Sequence, residues 1–175
     1  MTSAEEFPEE TQVPPVVVDT PDLPIGSIVA FDLNNENELR LNITVRDDNI
    51  DDDLEIQARL SVVGQSMPEY VCDTPIMKTQ EPQRAQSPLI VDRSKIRPGA
   101  CTKVEIAVSS RFARPCATNP ELFGIPLRED DVGRATFWIW EMSGNPAANP
   151  TAAQGIVTSC ALLTTAPSTS MPTKP

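Results

Sequence analysis

Leu54-Glu55-Ile56-Gln57-Ala58-Arg59-Leu60-Ser61-Val62-Val63 sets an apolar residue at every second position. Leu54, Ile56, Ala58, Leu60 and Val62 fall on one side, and Glu55, Gln57, Arg59 and Ser61 on the other. A period of two is that of a strand with one face on a core and one in water. A helix would scatter the same residues around its whole circumference. Residues 38–47 repeat the pattern: Leu39, Leu41, Ile43 and Val45 alternate with Glu38, Arg40, Asn42, Thr44 and Arg46. In residues 103–110, Val104, Ile106 and Val108 share a face. Residues 135–142 are apolar on both sides, with Phe137 and Ile139 opposed to Trp138, Trp140 and Met142. That pattern predicts a central strand covered on both faces. Residues 155–165 read as a final strand, and 16–19, 27–33 and 88–91 as edge or entry strands.

Proline punctuates these segments. There are 18 prolines in 175 residues, roughly twice ordinary usage. Proline removes a ladder donor and is kept out of central strands. None occurs between Ile25 and Met67, and further gaps cover 99–114, 127–145 and 151–166. The gaps are where the sheets are expected. Seven or eight short strands without a long amphipathic helical pattern predict an all-β fold: a single antiparallel two-sheet β-sandwich, immunoglobulin- or fibronectin-like, with Greek-key connections. Residues 1–24 read as a flexible, acidic and proline-rich tether, 25–166 as the sandwich domain, and 167–175 as a disordered tail.

The counts exclude several function classes. Histidine is absent, which removes Ser-His-Asp and Cys-His catalysis and histidine-ligated zinc. The formal charge of −11, with Lys and Arg scattered singly, argues against nucleic acid and against anionic lipid surfaces. No run of about 18 apolar residues predicts a membrane helix. No G-x-S-x-G surrounds a serine, and no glycine-rich loop is built to cradle phosphate. Carboxylate-pair chemistry is formally open, but the acidic residues sit in turns. The expectation is a protein that is not an enzyme.

Cys72, Cys101, Cys116 and Cys160 lie far apart, with no C-x-x-C pair. A zinc ribbon or thioredoxin-type site is therefore not expected. Four buried thiols would suit a cytosolic protein. The even count and the domain type favour two disulfides in an oxidising compartment. A strand starting at Cys101 carries the chain about 30 Å away by Ser110, at roughly 3.3 Å per residue. Six residues can barely return that far, which disfavours Cys101–Cys116. The favoured pairing is Cys72–Cys101 with Cys116–Cys160. The crossed pairing, Cys72–Cys116 with Cys101–Cys160, stays open. The compartment implied is extracytoplasmic: periplasmic, outer-membrane-tethered or secreted. Residues 1–10 are acidic and lack an export leader's basic and apolar regions, so either a mature or trimmed form or a misassigned start is expected, with the first 24 residues resembling a flexible tether.

Between the two clearest strands lies Asp47-Asp48-Asn49-Ile50-Asp51-Asp52-Asp53, five aspartates in seven residues. Asp47, Asn49 and Asp51 match the opening of an EF-hand loop, where alternate side chains converge on one cation. The match then fails, with Asp52 at the glycine position and Ala58 at that of the bidentate glutamate. Asp47, Asn49, Asp51 and Asp53 are the candidate calcium ligands, and Ca2+ is the one cofactor the sequence suggests. The plainer reading is a solvated turn, whose Asp and Asn side chains bond their own backbone. The stretch Val45-Arg46-Asp47-Asp48-Asn49-Ile50-Asp51-Asp52-Asp53-Leu54-Glu55-Ile56 resembles a strand, Asp-rich turn and strand of uncharacterised immunoglobulin-like domains in bacterial surface proteins and lipoproteins. The resemblance extends over about half the chain. It implies an envelope-associated sandwich and brings no catalytic residues with it.

Trp138 and Trp140, two apart, share a strand face. Such a pair could stack on sugar rings, and it more commonly packs in a core. The loop 143–150, with Pro146 and Pro150, sits where sandwiches often carry recognition. The long segment 73–97 reads as a lid-like excursion or a stapled irregular connection. The leading expectation is a non-enzymatic envelope or secreted protein with a structural or protein-contact role, stabilised by calcium at the acidic turn if the ion binds. The alternative is a carbohydrate-binding module using Trp138 and Trp140.

Overall fold

The computed structural model describes residues 13–31, 37–49, 53–62, 65–76, 83–85, 88–97, 100–113, 122–141 and 160. Among the described residues ten strands form, in this order: β1 (Val16–Val18), β2 (Ile28–Phe31), β3 (Glu38–Leu41), β4 (Thr44–Arg46), β5 (Leu54–Val62), β6 (Glu69–Ile76), β7 (Gln83–Ala85), β8 (Leu89–Asp92), β9 (Cys101–Ser109) and β10 (Gly133–Glu141). A five-stranded sheet has the order β2-β10-β9-β5-β6. A three-stranded sheet runs β1-β4-β7, and β3 pairs with β8 alone. The fold is all-β, as the alternation implies. It is mixed rather than purely antiparallel, because β2 lies parallel to β10, with Trp138 opposite Ile28.

One apolar cluster draws on all three sheets. Leu54, Ile56, Ala58 and Leu60 of β5, Val104, Ile106 and Val108 of β9, and Phe137 and Ile139 of β10 meet Val17 of β1, Val45 of β4, Leu41 of β3, and Leu89 and Val91 of β8. The register shows why one face suffices. Ile106 stands opposite both Ala58 and Ala135, and Val104 opposite both Leu60 and Phe137. Every second residue of three adjacent strands therefore lands in one layer.

Three expectations are corrected. Residues 38–47 are not one strand. They break at Asn42-Ile43 into β3, which pairs with β8, and β4, which pairs with β1 and β7. The chain changes sheet there without losing phase, since Leu41, Ile43 and Val45 are all buried. The folded part also begins before residue 25, because Val17 and Leu23 belong to the core. Gly133 marks this contact: a Cβ there would overlap the Pro15 carbonyl oxygen, so β1 approaches the start of β10 only because residue 133 has no side chain. Proline does not exclude the whole stretch from Pro68 to Pro98 from the sheets. β6 and β7 fall in it, beside β8, which matches the strand expected over 88–91. β6 carries Pro75 and is the outermost strand of its sheet, where a missing donor leaves no ladder bond unmade. The final strand expected over 155–165 lies outside the described residues except for Cys160, which is helical.

Candidate functional site

The five-stranded sheet has a second face, turned away from the core, and the chemistry of the chain collects there. Along β9 this face carries Cys101, Lys103, Glu105, Ala107 and Ser109. Their partners are Trp140, Trp138, Thr136 and Arg134 on β10 and Ser61, Arg59, Gln57 and Glu55 on β5. Two small apolar clusters stand at its ends, with a charged strip between them.

At the first end, Cys101 forms a disulfide with Cys160, with their Cα atoms 5.1 Å apart. This corrects the favoured pairing: Cys101 is joined to Cys160 rather than to Cys72. The reason is positional. Cys101 opens β9 directly opposite Trp140 near the close of β10, so the chain that continues from β10 is the one that returns to it. Cys101, Cys160 and Trp140 form a buried cluster with Trp138 packed against it. Trp140 is 8% exposed. Trp138 is half-buried, and its indole nitrogen is shut off from solvent, with no hydrogen-bond partner among the described residues. Stacking on a sugar needs open ring faces, and Trp140 does not offer one. The Trp pair is part of a packed end of the sheet.

At the other end, residues 111–113 and 122–131 lie over the sheet. Ala113 N–H donates to the Ile125 carbonyl at 2.9 Å, and Leu127 N–H to the Arg111 carbonyl at 2.8 Å. Gly124 is the point of closest approach, with φ +65°. Its N–H donates to the buried Gln57 side-chain oxygen at 3.0 Å, and its carbonyl accepts from the Arg134 guanidinium at 2.6 Å. An added Cβ would lie 2.8 Å from Ala107 Cβ. Phe112 and Phe123 close on Ala107, with Tyr70 and Val132 alongside. Asp131, 2% exposed, ties the return. Its carboxylate accepts from Ser109 Oγ at 3.1 Å and from Ser110 N–H at 3.0 Å, and also from Ser110 Oγ. Sequence reading misses this anchor. Asp131 gives no periodic signal, because its partners are 21 and 22 residues away.

Between the ends, Glu105 accepts from Arg59 through Nε and Nη2, each at 2.8 Å, and from Lys103 Nζ at 3.1 Å. Arg59 also lies over the Phe123 ring, 5.1 Å from its centre. One carboxylate is shared by two cations, so the strip carries a local excess of positive charge within an acidic protein.

The acidic turn is only partly described. Asp47 is buried, and its carboxylate accepts from Asn49 N–H at 3.0 Å, the bond of an Asx turn. The Asn49 side-chain amide donates to the Val13 carbonyl at 3.3 Å. Asp53 is exposed, and Asp51 lies outside the described residues. Among the described residues no group of three or more Cys, Asp or Glu is placed to hold a metal. Asp47 and Asn49 are thus already engaged with backbone.

A shallow depression of about 660 Å³ is lined by Asn37, Asp92, Arg93, Ser94 and Ile96. Its one carboxylate, Asp92, caps a short 3-10 turn by accepting from Ser94 N–H at 2.8 Å. The hydrogen bonds from Ser94, side chain first and then backbone, hold its carboxyl below the ordinary aspartate value. A carboxylate so held serves as a cap and not as a proton donor near neutral pH. Cys116 and the loop 143–150 lie outside the described residues, as does the side chain of Cys72. No described helix is long and apolar enough to cross a membrane.

In comparison with known proteins, the chain matches no family model, no curated protein and no solved structure.

Proposed function

We propose that this chain is a non-enzymatic β-sandwich, immunoglobulin- or fibronectin-like in type, that works outside the cytoplasm in the bacterial cell envelope by contact with a protein partner. The observation that carries the reading is the Cys101–Cys160 disulfide sealed over Trp140. Such bonds persist in oxidising compartments and are rare where thiols are kept reduced. The contact surface we assign is the strip of Arg59, Glu105 and Lys103 on the outer face, flanked by Trp138, Tyr70 and exposed Ile28. Aromatic and arginine side chains on a rigid sheet are the composition of protein-contact centres. The strip's local positive charge favours an acidic segment of the partner.

Thiol accounting in cells tests the compartment. A membrane-impermeant maleimide added before lysis, followed by a permeant one after denaturation, should find no free thiol at Cys101 or Cys160. Fractionation should place the protein outside the cytoplasm. Cytoplasmic protein with four reactive thiols overturns the reading.

Calcium at the 47–53 turn belongs to the same proposal and is supported by residue type and spacing. Millimolar calcium should raise Tm, an effect lost in Asp51→Ala; no shift removes calcium from the account. Nothing in the packing of Trp138 and Trp140 favours a carbohydrate platform, and we do not carry that reading forward.

A further inference from the structure

We infer that the outer edge of β2 is a self-association edge. Two copies of this chain pair β2 against β2 about a twofold axis and join their five-stranded sheets into one. The contact shares only Ile28 with the surface proposed above, since the charged strip lies on β5 and β9, beyond β10.

Among the described residues, the sheet edges divide into guarded ones and a bare one. β6, the other edge of the five-stranded sheet, carries Pro75, exposed Glu69 and a register shift against β5. β1 follows Pro14 and Pro15 and runs into Asp19. β7 follows Pro82 and contains Arg84. β3 and β8 carry Glu38, Arg40 and Asp92. Proline, charge and irregular register are the means by which an edge is kept from pairing with another chain. β2 has none of them: Ile28-Val29-Ala30-Phe31 is uncharged and free of proline, and its register with Trp138–Glu141 is unbroken.

The hydrogen-bond phase of β2 fixes how a second copy would fit. Trp138 N–H donates to the carbonyl of Ser27, immediately before β2, at 3.0 Å, so that carbonyl faces β10. Backbone groups alternate sides along a strand. The N–H and C=O of Ile28 and of Ala30 are therefore turned away from β10, to the side where the described residues place no strand. Two antiparallel copies satisfy both residues together when Val29 lies on the axis. Ile28 N–H then donates to the Ala30 carbonyl of the second copy, the Ile28 carbonyl accepts from that residue's N–H, and the twofold repeats the exchange. Val29 meets Val29 of the second copy as a non-hydrogen-bonded pair, with Cα atoms about 4.5 Å apart. Val29 is partly buried and packed against the core, so this pair prolongs the core across the axis. On the other side of the sheet Ile28, 39% exposed beside Trp138, loses water to the incoming strand.

This self-matching register argues for a second copy as the occupant, and the charge distribution permits it. Each chain carries a formal −11, of which residues 24–31 hold none, so the copies meet at an uncharged seam. Repulsion between the remaining charges keeps the dimer weak and reversible, as does a contact of one short strand set against the roughly 1,200–2,000 Å² of a stable interface.

Sedimentation velocity of the full chain, from micromolar to millimolar, tests the contact. Apparent mass should climb from 19.1 kDa toward twice that value, and more steeply in about 1 M salt, which screens the repulsion. Ile28→Lys should stay monomeric throughout with its melting transition kept, because the side chain at 28 reaches solvent. Ala30→Pro is the second variant. It removes an N–H that faces away from β10, where an edge strand tolerates proline. The twofold makes that loss count twice, so association should weaken about tenfold or more. Hydrogen exchange at the Ile28 and Ala30 amides of the unaltered chain should be slow in concentrated samples and fast in dilute ones. A chain that stays monomeric overturns the inference and leaves the edge to a strand of a different partner. A dimer that both variants leave intact overturns it by placing the contact elsewhere. Association weakened by salt overturns it by showing that charged groups carry the contact. Slow exchange at both amides in the dilute monomer overturns it by showing that the chain covers its own edge.

Discussion

On its inner face the five-stranded sheet presents Ile56, Leu60, Val104, Ile106, Val108, Phe137 and Ile139, none more than 1% exposed. On its outer face the same strands present Gln57, Arg59, Lys103, Glu105, Ser109 and Arg134, each engaged in a directed hydrogen bond. The inner face is held by a non-directional force that scales with apolar area. The outer face is held by bonds that fail when an atom moves by half an ångström. Inside, then, volume should decide the cost of a substitution. Outside, the position of individual polar atoms should decide it.

The inner face gives the largest effect. Phe137→Ala should cost about 3–5 kcal/mol, and Ile106→Val about 0.5–1.5 kcal/mol, since truncation leaves a cavity that the close-packed sheets cannot fill. Urea denaturation of the purified chain reads both values. If the two costs are alike, volume is not what limits this face, and the contrast with the outer face collapses.

Asp131→Ala comes next and should cost about 2–4 kcal/mol. It removes a charged acceptor from Ser109, Ser110 N–H and Ser110 Oγ together, and hydrogen bonds to charged groups contribute about 1.5–3 kcal/mol net. Asp131→Asn keeps an acceptor and nearly the same volume, so it should lose clearly less. Equal losses would show that Asp131 matters for packing and not for its bonds.

These two faces also differ in how far the sequence reveals them. The inner face was legible because burial on one side of a strand repeats every two residues. β5, β9 and β10 stand within two residues of their expected bounds for that reason. The outer face has no such period. Gln57 and Arg59 read as solvent-facing positions of an alternating strand, yet Gln57 is fully buried, because a segment 67 residues away lies over it. Asp131 and Gly124 are single residues whose meaning depends on distant partners. The split of 38–47 into β3 and β4 was hidden too, since a strand can change sheets while its alternation continues. β6 was missed because the proline rule applies to central strands, and nothing local says that a strand is an edge. The candidate site divides the same way. The pair of tryptophans was visible, but what covers Trp140 is fixed by Cys160, 20 residues further along.

Two glycines sharpen the contrast at smaller cost. Gly26 and Gly124 both have positive φ, at 75° and 65°. Alanine at either position meets backbone strain of about 1 kcal/mol. At Gly26 nothing lies within 4 Å of the new Cβ, whereas at Gly124 it meets Ala107 and Arg134. Gly124→Ala should therefore cost about 1–3 kcal/mol more than Gly26→Ala, the usual toll of overpacking. Thermal melts of the two variants side by side give the difference. Equal costs would mean that the turn at residues 122–125 lifts freely from the sheet.

The smallest expected effect lies in the charged strip. Arg59 and Glu105 meet through two nitrogens on one carboxylate oxygen, with side chains 37% and 20% exposed. Partial exposure screens the pair, and exposed pairs contribute about 0.2–1 kcal/mol. Arg59 has a second attachment over Phe123, and such cation–ring contacts add about 0.5–1 kcal/mol at exposed sites. A double-mutant cycle with Arg59→Met and Glu105→Gln separates the two, because the aliphatic part of the side chain stays on the ring in the first variant while the charge is removed. The coupling between residues 59 and 105 should be under about 1 kcal/mol and should shrink in 1 M salt, where the Debye length is only about 3 Å. Lys103 softens the Glu105→Gln arm, since it loses the same carboxylate and is left as an unpaired cation near Arg59. Removing Lys103 should therefore raise the measured Arg59–Glu105 coupling slightly. A coupling of several kcal/mol, insensitive to salt, would mean that the strip is sealed from water as the inner face is. It could not then serve as the open surface on which a partner docks.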